Sequence, residues 1–126
     1  MIPTLVDALR ALRPNDSFIV RGEIAYENIQ LADENKKLPT EDELNAKLSE
    51  LKVKEPFKLL RQERNRRLAE CDWVVTKNAE YGYNIPKEWK RYRQALRDLP
   101  SISYRPELDE FGNLKMDSVA WPTPPE

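Results

Sequence analysis

Histidine is absent from this 126-residue chain, which removes the commonest general base and an everyday metal ligand. The single cysteine, Cys71, can form neither an internal disulfide nor a zinc site. Its expected role is that of a small apolar residue on a helix face, and a lone thiol suits a reducing compartment. Glycine occurs three times, at Gly22, Gly82 and Gly112, and none sits in a phosphate-cradling loop. No stretch approaches the roughly 18 uninterrupted apolar residues of a membrane span. The start, Met1-Ile2-Pro3-Thr4-Leu5, has no basic region ahead of a long apolar run, so no secretory signal is expected. Carboxylates are plentiful, but none are grouped at ligand-like spacing. The expectation is therefore a chain without a catalytic residue, metal or cofactor.

Charge and proline are what the chain does have. Charged residues make up 34% of the sequence and apolar residues 40%, so burial per residue is modest and support from a partner is expected. The net charge of −1 hides an asymmetry. From Lys54 to Arg97 there are twelve Lys/Arg against six Asp/Glu; the remainder has nine against sixteen. A basic middle flanked by acidic ends steers a partner, pairs within the chain, or simply forms a solvated helix face.

Periodicity predicts an α+β, mostly helical fold. Leu5, Val6, Leu9 and Leu12 mark an amphipathic helix over residues 3–13, which Pro14 ends. Phe18-Ile19-Val20-Arg21 and Asn28-Ile29-Gln30-Leu31 read as the two strands of a small β-hairpin. Thr40 followed by Glu43 is a capping box, and three acidic residues in the first turn complement the helix dipole. This capped helix is expected from Glu41 to about Val53, with Leu44, Leu48 and Leu51 on one face. Pro56 is expected to open a new helix carrying Phe57, Leu60, Arg64, Leu68 and Cys71, and closing at Asp72-Trp73. A polar loop containing Asn78, Gly82 and Asn84 then leads to Pro86. From there Trp89, Tyr92, Leu96 and Leu99 form one stripe of a last helix that Pro100 stops. The two basic helices are expected to pair antiparallel. From Ser101 onward no helical period remains, and Trp121-Pro122-Thr123-Pro124-Pro125 favours an extended conformation. The expected organisation is residues 1–53 as an N-terminal module, 54–100 as a basic helical hairpin and 101–126 as a proline-rich tail.

Three strings in the second half belong together: an Arg-rich run ending in Asp72-Trp73; Trp89-x-x-Tyr92-Arg93-Gln94-Ala95-Leu96-Arg97-Asp98-Leu99-Pro100; and Trp121-Pro122-Thr123-Pro124. In order and spacing they resemble the phage tail assembly chaperone family, small proteins encoded beside tail-fibre and baseplate genes, over roughly the last 70 residues. The hairpin followed by Pro39-Thr40-Glu41-Asp42-Glu43-Leu44 also resembles N-terminal modules of small phage tail proteins. The resemblance implies a protein-binding assembly factor in the host cytoplasm. It would mask aggregation-prone ends of a tail or tail-fibre protein stoichiometrically, without ATP. The alternative is a subunit retained in the virion tail, and self-association is compatible with either. Asp72, Trp73, Trp89, Tyr92 and Arg93 are the signature positions. Arg64 and Arg67, with Trp121, Pro122 and Pro124 of the tail, are the expected partner contacts, because arginine, aromatic and pre-extended proline groups bind with little ordering cost. Nucleic-acid binding by the basic helices is the weaker reading. Glu63, Glu70 and Glu88 interrupt the basic stripes, and aromatics at helical spacing mark a core more often than a base-stacking platform.

Overall fold

Helix α1 (Leu5–Leu12) begins where Asp7 reaches back to Thr4: its carboxylate accepts from the Thr4 backbone N–H at 2.8 Å and from the hydroxyl at 3.2 Å. This computed structural model describes residues 2–103 and 105–125. The chain divides into two compact units, Met1–Glu55 and Pro56–Glu126.

In the first unit, strands β1 (Phe18–Val20) and β2 (Ile29–Leu31) pair antiparallel, Phe18 opposite Leu31 and Val20 opposite Ile29. Alternation sends these four side chains inward, while Ile19 and Gln30 face out. Phe18, Val20 and Ile29 pack with Ala8, Leu9 and Leu44 into one core that Leu48 and Leu51 extend. A hairpin that is marginal alone is thus held between two helices. The Thr40 hydroxyl accepts from the Glu43 N–H at 3.2 Å, so the cap sits where the sequence places it.

Helix α2 (Glu41–Glu70) departs from expectation, because it passes through Pro56 without a break. Pro56 lacks the N–H that would bond the Lys52 carbonyl. Good helix formers on both sides carry the helix across, the Lys54–Glu50 pair at 2.6 Å bridges the turn before, and the Pro56 ring is buried. The expected end at Val53 and restart at Pro56 are therefore corrected to one helix of 30 residues.

The expected loop after Asp72-Trp73 is also corrected. Residues Asp72–Glu80 form helix α3, despite the weak helix propensity of Val74, Val75, Thr76 and Asn78. Burial of Val74, with the Asn78 amide donating to the Val74 carbonyl at 2.7 Å, outweighs that propensity. Helix α4 (Lys87–Ile102) likewise runs two residues past Pro100. Its last carbonyls find side-chain donors: the Ser101 hydroxyl donates to Asp98 and the Ser103 hydroxyl to Leu99, each at 2.7 Å.

The residues after α4 fold back onto their own unit. Leu108 and Leu114 form a bridge across a turn, in which the Asp109 carboxylate accepts from the Phe111 and Asn113 N–H groups. Gly112, at φ 80°, takes the left-handed conformation this turn requires. Leu114 and Val119 are then buried on Leu60 and Leu99.

Candidate protein-binding surface

Contacts along α2 and α4 run in opposite numerical directions, which makes the pair antiparallel. Leu60 packs with Leu99, the Arg64 guanidinium donates to the Arg97 carbonyl at 3.3 Å, and the Arg93 guanidinium donates to the Leu68 carbonyl at 3.0 Å. The expected stripe is the buried face of α4: Tyr92, Leu96 and Leu99 are buried and Trp89 is half-buried.

All five signature residues meet at the α2–α3 junction. Arg93 is the node. Besides Leu68, its guanidinium reaches the Cys71 sulfur at 3.0 Å and pairs with the Asp72 carboxylate at 2.9 Å. A cation at the end of α2 also complements that helix's dipole. Burial alone would lower the Arg93 pKa, but its bonds to Cys71 and Asp72 outweigh this and raise it. Beside the node, Trp73 meets Trp89 edge-on at 5.9 Å, and Trp89 meets Tyr92 at 6.0 Å. The cluster is structural on its inner side. Its outer side leaves Trp73 56% exposed.

A second network ties the tail to α2. Glu63 accepts two bonds from the Arg66 guanidinium, at 2.6 and 2.9 Å, and one from Arg67 at 3.0 Å. Arg66 also pairs with Glu70. Hydrogen bonding from Arg66 is the largest influence on Glu63 and holds its carboxyl at about 2, well below the usual range, against the opposing effect of burial. Arg67, oriented in this way, lies over the Trp121 ring at 4.2 Å, a close cation–π contact. The Trp121 indole also packs on the Leu60–Leu99 cluster and on the cluster of Cys71, Tyr92 and Leu96. Its Nε1–H is buried without a hydrogen-bond acceptor.

Of the expected contact residues, Arg64, Arg67, Trp121 and Pro122 are half-buried and Pro124 is exposed. Arg67 and Trp121 are brought together as one stacked pair, and the tail docks on its own unit. Glu63 was read in the sequence only as an interruption of the basic stripe, although its spacing of three and four residues from Arg66 and Arg67 was the available signal of its pairing.

Residues 57–126, which hold every group of both networks, match the family model of phage tail assembly chaperone proteins. That match covers just over half of the chain. The protein belongs to the phage tail assembly chaperone family. No curated protein and no solved structure matches it.

Membership identifies this chaperone as a bacteriophage protein of virion assembly that acts on a tail protein. The matched segment starts one residue after Pro56, where the second compact unit begins. Among the described residues no group of His, Cys, Asp and Glu is arranged to hold a metal ion. No helix among them is long and apolar enough to cross a membrane.

Proposed function

We propose that this chaperone binds a phage tail or tail-fibre protein stoichiometrically during assembly and covers ends that would otherwise aggregate. Exposed strand edges and apolar tips are aggregation hazards until they are covered. The observation that carries this reading is the Arg67–Trp121 stack. It holds Trp121, the first residue of the Trp121–Pro125 segment, against Arg67 of α2, which supports reading Arg64, Arg67, Pro122 and Pro124 as one contact surface. A surface ordered before the partner arrives binds with less entropic loss, and tryptophan and arginine dominate interface energies.

Co-expression with the neighbouring tail-fibre protein tests it. The soluble, trimeric fraction of the fibre should rise. Arg64→Glu should lower that fraction at unchanged helicity by circular dichroism, and Arg64→Glu with Arg67→Glu should abolish the gain. Fibre solubility indifferent to the chaperone, together with a salt-sensitive DNA complex, would overturn the reading in favour of nucleic-acid binding. Mass spectrometry of purified virions separates the transient role proposed here from a retained subunit, which would appear at fixed copy number.

A further inference from the structure

Helices α3 and α4 enclose a groove of about 490 Å³ whose chemistry the Arg67–Trp121 surface does not use. Val75 and Ile85, both half-buried, are its apolar residues. On α4, Lys90, Arg93, Gln94 and Arg97 recur at steps of three, four and seven, so they share one face, and Arg91 lies beside them.

The polar heads are not equivalent. Arg93 spends its guanidinium on Leu68, Cys71 and Asp72, and Gln94 donates to Asp98 at 2.9 Å. Lys90, Arg91 and Arg97 are exposed and form no ion pair among the described residues. No carboxylate lines the groove. The two that contact lining side chains, Asp72 and Asp98, are already engaged by Arg93 and Gln94. Three free cations thus surround an apolar site with no compensating charge in its wall. Arg66 and Arg67 of α2, by contrast, are paired with Glu63.

We propose that this groove binds an acidic peptide segment, with one aliphatic side chain seated on Val75 and Ile85 and flanking carboxylates held by Lys90, Arg91 and Arg97. Charge complementarity selects the acidic partner, because carboxylates placed here meet cations without having to displace a rival. The apolar residues select a peptide over a nucleic acid. A phosphate backbone gains nothing from them, and no aromatic ring lines the groove for a base to stack on. The proposal rests on the protein-binding reading only for the source of the segment, which would be an acidic stretch of the tail protein.

The test uses the full chain and a fluorescein-labelled peptide of one leucine among six glutamates. Anisotropy should show saturable binding that weakens as salt rises. Replacing the leucine by serine should weaken it at least about tenfold, the worth of burying such a side chain. Lys90→Glu with Arg91→Glu should abolish binding, both positions being exposed and free of core contacts. In two-dimensional NMR, amide shifts should centre on Val75, Ile85 and residues 90–97. Equal binding of the serine peptide, equal binding of an oligothymidylate of the same charge, shifts centred elsewhere, or no binding would each overturn the groove assignment. Fibre rescue is a separate readout, so failure of the peptide titration and failure of the assembly role cannot be confused.

Discussion

Glu63 shows how one side chain sets the conditions under which the tail stays docked. Its carboxyl sits at about 2 in the folded chain against an ordinary value of 4.5, so the folded state holds it ionised where the unfolded chain would protonate it. The stability it contributes is complete above about 4.5 and is lost as pH falls through about 2. Urea midpoints measured across that window should decline with acid, and Glu63→Gln should flatten the decline; an unchanged slope would show that Glu63 is not the titrating group. Trp121 belongs to the same network. Because it is only half-buried and carries an unsatisfied N–H, Trp121→Ala should cost about 2–3 kcal/mol, below the roughly 3–5 of a fully buried tryptophan. Trp121→Phe, which removes the orphaned donor and keeps a ring for Arg67, should cost clearly less. Chemical denaturation of both variants checks the order.

Among the elements, α2 tests two local rules with opposite outcomes. Its start follows the capping rule, and Thr40→Ala should lower stability by about 1 kcal/mol through loss of the bond to the Glu43 N–H. A change within error of zero would remove the cap from the account. Its middle defies the proline rule. Pro56→Ala restores a donor to the Lys52 carbonyl and removes a clash worth about 3 kcal/mol in a helix interior, while giving up a buried ring. The expected balance is a gain of about 1 kcal/mol, read from the thermal midpoint; destabilisation would mean that ring burial outweighs the helix bond. Propensity made α2 and α4 legible and hid α3. Val74-Val75-Thr76 argues against helix by side-chain stiffness, and the burial of Val74 with the Asn78 bond overrides that preference.

For the molecule as a whole, the separation of cores is the fact with consequences. One core gathers Leu9, Ile29 and Leu44. The second unit is built around Leu60, Leu96 and Leu99, and the tail supplies Leu114, Val119 and Trp121 to it. Deleting residues 119–126 should therefore lower hydrogen-exchange protection at Leu60, Leu96 and Leu99 and leave Leu9 and Leu44 unchanged. Equal loss in both units would show that the chain unfolds as one cooperative body. The same deletion removes three of the five proposed contact residues, Trp121, Pro122 and Pro124, so fibre rescue should fall with it.

Much of this protein was determined by its sequence alone. The apolar stripes of α1 and α4, the strand alternation, the Thr40 cap and the basic middle follow from spacing and residue type, because each depends on neighbours within a turn or a pairing. The Asp72-Trp73, Trp89-to-Pro100 and Trp121-Pro122 strings were enough to suggest the family. Tertiary structure decided the rest. Whether proline breaks α2 or α4 depends on the burial of its ring and on how well the turns on either side are held. The placement of Trp121 depended on Glu63 turning Arg67 toward it from α2, some fifty residues earlier in the chain. The α3–α4 groove could not be read from spacing, because Val75 and Ile85 lie on segments that meet α4 only after the chain has folded. Such outcomes depend on free-energy differences between distant surfaces, and those do not exist until the surfaces meet.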